Sequence, residues 1–259
     1  MTFYLQREWL IDIAQGKIPG HSLVHKFGRN AAVASGTEEG ILQISGGQFI
    51  FRTSPSTMRI AAGGNAADTA AGAGTREVTI QGIDSNLNEV TEVIATAGAS
   101  ASSATTTSFW RVHRAWVTDP GTYGGNNTGN IVIEDSGGAA SHIMIAAAEG
   151  QTQYAGFTIP TGKTGYLLSY WGSVGSNKDD AELKIWTRKN FNIVTPGTAG
   201  ISAKRLKLNF DGATGFIPYT PISPELALAA LTDVWVTAVG ASAGSSTISI
   251  DFEILLVDD

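Results

Sequence analysis

The chain has 259 residues, a formal net charge of −6, no cysteine and only 15% charged side chains. Disulfides, thiolate metal sites and cysteine nucleophiles are excluded outright, and the acidic balance opposes a broad electrostatic grip on nucleic acid or an anionic membrane. With 31 glycines and 42% hydrophobic residues, the composition fits neither a disordered chain nor a helix-rich enzyme.

Apolar runs such as Ile254 to Val257 fall far short of the roughly 20 residues of a membrane helix. Arg7, Glu8 and Asp12 interrupt the apolar region that a signal peptide needs, so the chain is expected to start near Met1 without a secretory leader. Residues 2–15 carry a helical pattern: Leu5, Trp9 and Ile13 recur at i, i+4 and i+8, with Leu10 beside them. Thr2 is placed to cap it, and Gly16 with Pro19-Gly20 stops it. So short a helix is marginal alone in water. Its apolar face needs a receiving surface, either its own domain or a neighbouring subunit.

From about residue 48 the pattern turns to period two. Residues 76–84 and 88–94 flank a polar turn and read as a hairpin. Further strands are predicted at 107–118, 129–135, 140–147, 152–159, 164–174, 181–188, 203–210, 232–240 and 246–257. Turn signals such as Asp119-Pro120-Gly121, Pro160-Thr161-Gly162 and Asp211-Gly212 separate them. The expected fold is all-β, an antiparallel sandwich or jelly-roll-like domain, behind a short helical and extended arm. The arm is expected to span residues 1–47 and the sandwich residues 48–259, with a sub-boundary near 95–108 as the weaker alternative. Ala61 to Gly74 and Ala95 to Ser108, rich in small residues, are expected to be loops at the ends of the β domain.

Catalytic constellations are mostly missing from the sequence. On a helix, His21 and His25 would present two imidazoles to one metal, but Pro19-Gly20 and Gly28 flank them and no glutamate accompanies them. They read as arm contacts, and neither a metal nor any other cofactor is expected. His113, alternating on a strand, reads as a surface or interface group. Asp84 to Glu89 begins like a calcium loop, yet its sixth position is Glu89 and its twelfth Ala95, so a hairpin turn is expected. There is no Walker sequence. Between Glu182 and Asp211, six Lys and Arg residues stand without an acidic one, which reads as a solvated face or a contact with an acidic protein neighbour. The six tryptophans read as core or subunit contacts rather than a sugar platform.

The segment Gly16-Lys17-Ile18-Pro19-Gly20-His21-Ser22-Leu23-Val24-His25-Lys26-Phe27-Gly28-Arg29-Asn30 resembles the opening of a group of tailed-bacteriophage virion structural proteins. The resemblance continues through Asn65 to Asp84, Gly150 to Gln153, Ile159 to Tyr166 and Asp233 to Val236, and so spans most of the chain. It implies a non-enzymatic virion component assembled in the host cytoplasm, with the head, neck and tail all open as its station. The leading expectation is a capsid cement or decoration protein, a trimer by preference. Its partners would be the major capsid protein or other virion proteins, with no membrane and no nucleic acid among them. Tyr4, Leu5, Trp9, Ile13, His21, His25, Phe27 and Arg29 would dock the arm on the capsid or on a sister subunit. Removing residues 1–30 is expected to leave a folded β domain. Two alternatives are a neck, tail or spike component binding host glycans through residues 122–128, and a virion-associated hydrolase.

Overall fold

The computed structural model describes residues 6–44, 47–175, 180–189, 202–210, 215–219, 227–240 and 245–259. Helix α1 (Gln6–Ala14) precedes β1 (His21–Ala34), β2 (Glu38–Gly40), β3 (Ser56–Ile60), β4 (Glu77–Asp84) and β5 (Glu89–Ala95). Then come β6 (Ser108–Asp119), β7 (Ile131–Asp135), β8 (Ser141–Ile145), β9 (Gly156–Thr158), β10 (Lys163–Val174) and β11 (Ala181–Arg188). The last strands are β12 (Ser202–Phe210), β13 (Gly215–Tyr219), β14 (Ala227–Leu228), β15 (Asp233–Gly240) and β16 (Ser245–Asp258). The described residues are mostly β and antiparallel behind a short N-terminal helix, as expected.

Two sheets form a sandwich. One runs β1-β16-β10-β13 with β14 on β10, and the other runs β12-β11-β15-β2 with β9 on β15. Between β10 and β16 the chain crosses repeatedly from one sheet to the other, which gives the jelly-roll-like weave. Period-two alternation aims Leu167, Tyr170, Ile250, Phe252 and Ile254 of the first sheet at Leu183, Ile185, Val234 and Val236 of the second. Each large side chain buried this way contributes about 1.5–3 kcal/mol relative to exposure.

A second core lies in a third sheet, of order β5-β4-β6-β3-β7-β8. This sheet curls until β8 approaches β6, enclosing Met58, Val78, Ile80, Phe109, Val112, Ile133, Ile143 and Ile145. The expected hairpin is β4–β5, with Val78 opposite Ile94. At its tip the Asp84 carboxylate accepts the amides of Asn86 and Asn88, a turn rather than a calcium loop. The two small-residue stretches are loops, but they are stitched together. Ala70 N–H donates to the Thr96 carbonyl and Gly98 N–H to the Asp68 carbonyl. The buried Asp68 carboxylate accepts the amides of Thr75, Thr128 and Gly129.

The division of the chain differs from the one expected. Residues 21–34 are not an extended arm: β1 is a long strand of the first sheet, paired with β16 from His21↔Val257 to Ala34↔Ser245. Its inward residues are buried, and Gly28 packs so closely that a Cβ there would lie 2.5 Å from the Ile41 carbonyl. Removing residues 1–30 therefore takes most of a sheet strand with it and cannot leave the β domain intact. Nor is 48–259 one sandwich. The sandwich core draws on residues on both sides of the curled sheet, so residues 56–145 form an inserted unit. The alternative sub-boundary near 95–108 falls inside that unit.

Candidate functional site

The residues expected to face a partner divide into two groups. Helix α1 lies against β1, and Ile13 is buried there, 3% exposed. Trp9 meets the His21 ring edge-on at 6.2 Å, and His21 Nδ1 is 2.9 Å from the Pro19 carbonyl. These three contacts are made within the chain, which answers part of the helix's need for a receiving surface. Ile11, by contrast, is 47% exposed. Tyr4 and Leu5 lie outside the described residues.

His25, Phe27 and Arg29 point outward. Because the pleat alternates, they form a row on the outer face of the first sheet, and pairing extends it sideways. His25 stands beside Glu253 and then Ser169, and Phe27 beside Asp251 and then Trp171. The His25 and Phe27 rings are 5.8 Å apart, and His25 Nε2 is 3.6 Å from an Asp251 oxygen. Burial pushes the Asp251 carboxyl up, against the opposing influence of His25. Ser169 donates to Glu253 at 2.9 Å. The outer face thus mixes half-buried Phe27 and Trp171 with titratable groups, across a sheet in which β1 is an edge strand among the described residues.

A second constellation, which the sequence reading missed, joins the inserted unit to the sandwich. Arg111 on β6 makes a two-pronged contact with Asp233 on β15, Nε to Oδ1 at 2.9 Å and Nη2 to Oδ2 at 3.0 Å. Arg188 donates to Asp233 at 3.1 Å and the Thr158 hydroxyl donates to it at 2.7 Å. The Arg188 guanidinium lies 3.9 Å from the centre of the Phe51 ring. Nearby, Asp135 is held by Arg52 and by His142. Burial alone would raise the Asp135 carboxyl, but the hydrogen bonds from Arg52 and His142 outweigh it and hold it below its ordinary range. The Asp233 carboxylate is held by Arg111, Arg188 and Thr158 together, so the cluster acts as a clamp between units rather than as an open reaction site. The sequence carries no local signal for it, since its members come from strands far apart.

Other expected residues find ordinary places. In the 122–128 segment Tyr123 is 64% exposed, but Asn127 is 1% exposed. Asn127 donates to the carbonyls of Gly129 and Ala146, and Asn126 donates to that of Ala148. A shallow hollow of about 320 Å³ beside them is lined by Arg114, Trp116, Asn126, Glu149 and Gln151. Within the basic run, Lys184 pairs with Glu38 at 2.8 Å and Glu182 at 3.1 Å, while Arg188 belongs to the clamp. Trp186 and Trp235 stack at 6.2 Å, in line with a packing role. His21 and His25 sit on a strand, on one face but about 13 Å apart along it. Among the described residues no group of three His, Asp or Glu side chains could hold a metal.

No protein-family model matches the chain, and no curated protein matches it in sequence. Solved structures of viral particles do align. The structure of the infectious bursal disease virus Gx strain is 9% identical, covering 92% of this chain and 74% of that one, with a TM-score of 0.22. The crystal structure of the infectious bursal disease virus VP2 subviral particle is 8% identical, covering 96% of this chain and 82% of that one, with a TM-score of 0.21. At these scores the folds do not superpose, and the fold assignment rests on the strand topology above.

Proposed function

We propose that the chain is a non-enzymatic structural subunit of a virion, of the capsid cement or decoration kind. The observation that carries this reading is the outer face of the first sheet. Phe27 lies between His25 and Arg29 on the edge strand β1, next to the half-exposed helix α1, and Asp251, Glu253 and Trp171 continue the face across β16 and β10. A mixed apolar and charged face on a rigid sheet suits a subunit contact. The resemblance of residues 16–30 to tailed-phage virion proteins supports the same setting, because the residues that carry it include this strand. Its neighbour is the major capsid protein or a second copy of this chain, with a trimer as the preferred assembly and the virion as its location.

The test separates α1 from β1. A chain lacking residues 1–20 keeps every strand, so it is expected to fold cooperatively yet fail to join particles. Normal incorporation overturns the docking role of the arm. Sedimentation of the purified full chain as a monomer overturns the trimer. The glycan-binding alternative draws on the hollow beside Trp116, where a flat aromatic ring meets Asn126, Glu149 and Gln151. Saturable binding on a glycan array, lost in Trp116→Ala, would replace the cement reading with that one. Turnover of polysaccharide or peptidoglycan by the purified chain would overturn the non-enzymatic reading.

A further inference from the structure

A cleft between β1 and the inserted unit collects polar groups that an assembly role leaves unused. Lys26 points the opposite way from His25 and Phe27, and is only 6% exposed. Its ammonium donates to the His113 carbonyl at 2.6 Å. That uses one of its three donors, and no carboxylate among the described residues lies within ion-pair distance of it. His113 on β6 is 2% exposed and tilts against Phe157 with ring centres 4.8 Å apart. Neither of its ring nitrogens has a hydrogen-bond partner, and neither does Nε of the neighbouring Arg114. Arg114 Nη2 reaches Gln151 at 2.5 Å. Gln81 donates to Glu89 at 3.0 Å. Lys26, Gln81, Glu89, His113 and Arg114 line one cavity of about 260 Å³, together with Leu23, Phe157 and Leu256.

The electrostatics are unbalanced. Burial lowers the Lys26 ammonium to about 7, and the positive charge of Arg114 adds to the fall, with Glu89 opposing. Burial, Lys26 and Arg111 together push His113 well below its ordinary value. Burial raises Glu89, against the pull of Lys26 and Lys163. Unsatisfied polar groups in a dry site each cost about 1–3 kcal/mol. Water would satisfy the imidazole but leave the repulsion between the two cationic side chains in place. A negative charge offsets both.

We propose that this cleft binds a small oxyanion, carboxylate or tetrahedral, on Lys26, His113 and Arg114. The oxyanion accepts from the free donors of Lys26 and from Arg114 Nε, and the imidazole tautomer that donates supplies a further N–H. Glu89 opposes the ligand and sets its affinity. Such an ion fills only part of the cavity, so Leu23, Phe157 and Leu256 leave room for a short organic tail. Occupancy recharges Lys26, so binding takes up a proton and strengthens as pH falls.

Sulfate and acetate, both fully ionised from about pH 6.5 to about pH 8.5, are titrated separately into the full-length chain, with calorimetry and the His113 ring resonances as readouts. Saturable binding of at least one ion, about tenfold tighter at the lower pH, is expected. The two arms distinguish a tetrahedral ligand from a planar one. Lys26→Met should weaken binding at least about tenfold, and Glu89→Gln should tighten it severalfold. No saturable response to either ion, or unchanged affinity in Lys26→Met, overturns the site and leaves water as the occupant. If Lys26→Met fails to fold, Glu89→Gln decides alone: tighter binding supports the site, and unchanged or weaker binding overturns it. Ion binding by the free chain is read independently of particle incorporation, so failure of one leaves the other standing.

Discussion

The sandwich closes with strands from opposite ends of the chain, His21 beside Val257, whereas the inserted unit has a hairpin at each end of its sheet, β4–β5 and β7–β8. Local pairing closes short loops, while the sandwich must wait until both ends of the chain have met. The contrast extends to the glue. Each unit has its own apolar core, and the clamp between them is ionic, with Arg111 of one held by Asp233 of the other. Apolar burial makes each unit stable, and the buried ion pair ties the two together beside an apolar contact of Ile83 and Trp110 with Leu231.

The sharpest way to break this pairing is Asp233→Ala. It strands Arg111 and Arg188 without their carboxylate, and loss of one member of a buried pair costs about 3–5 kcal/mol. Urea unfolding should fall by that amount and split into two transitions, and a single transition at the wild-type midpoint would show that the clamp does not couple the units.

Gly28→Ala addresses the sandwich alone. The new Cβ would lie 2.5 Å from the Ile41 carbonyl and 2.6 Å from Ala155, and overpacking of this kind costs about 1–3 kcal/mol. Hydrogen exchange should quicken in β1 and β16 while β4 and β6 keep their protection. Equal loss in both units would mean that they unfold as one.

The third effect is a pH dependence at the seam. Lys26 has its pKa lowered from 10.5 to about 7 on folding. Between those values the unfolded chain binds the extra proton, so stability falls as pH drops from about 10.5 towards about 7 and levels off below. The change is on the order of a few kcal/mol, and thermal melts of Lys26→Met should show a flatter profile over that window than wild type.

These contrasts also explain what the sequence reveals. The β4–β5 hairpin is legible because Glu89 and Thr91 alternate with Val90 around a polar turn, and α1 because Trp9 and Ile13 share a stripe. Strand β1 is hidden by inverted chemistry. Its charged Lys26 points in and its aromatic Phe27 points out, and Gly28 with Ala31-Ala32 breaks the apolar rhythm. The clamp is silent for a different reason: Arg111 and Asp233 meet only through the tertiary fold. His113 reads as a surface or interface group on a strand. Its burial follows from the sandwich lying over β6, which no local pattern encodes.

The two connectors of the insertion run side by side, with Leu42 bridged to Tyr154 and the Phe49 ring 4.9 Å from that of Tyr154. Chain therefore leaves and re-enters the sandwich through a single doorway. A host scaffold with such adjacent exit and return points is naturally modular. A foreign cassette whose ends lie equally close can be grafted between residues 42 and 154, with Asp233 still neutralised by Arg188, and carried as cargo on the same platform.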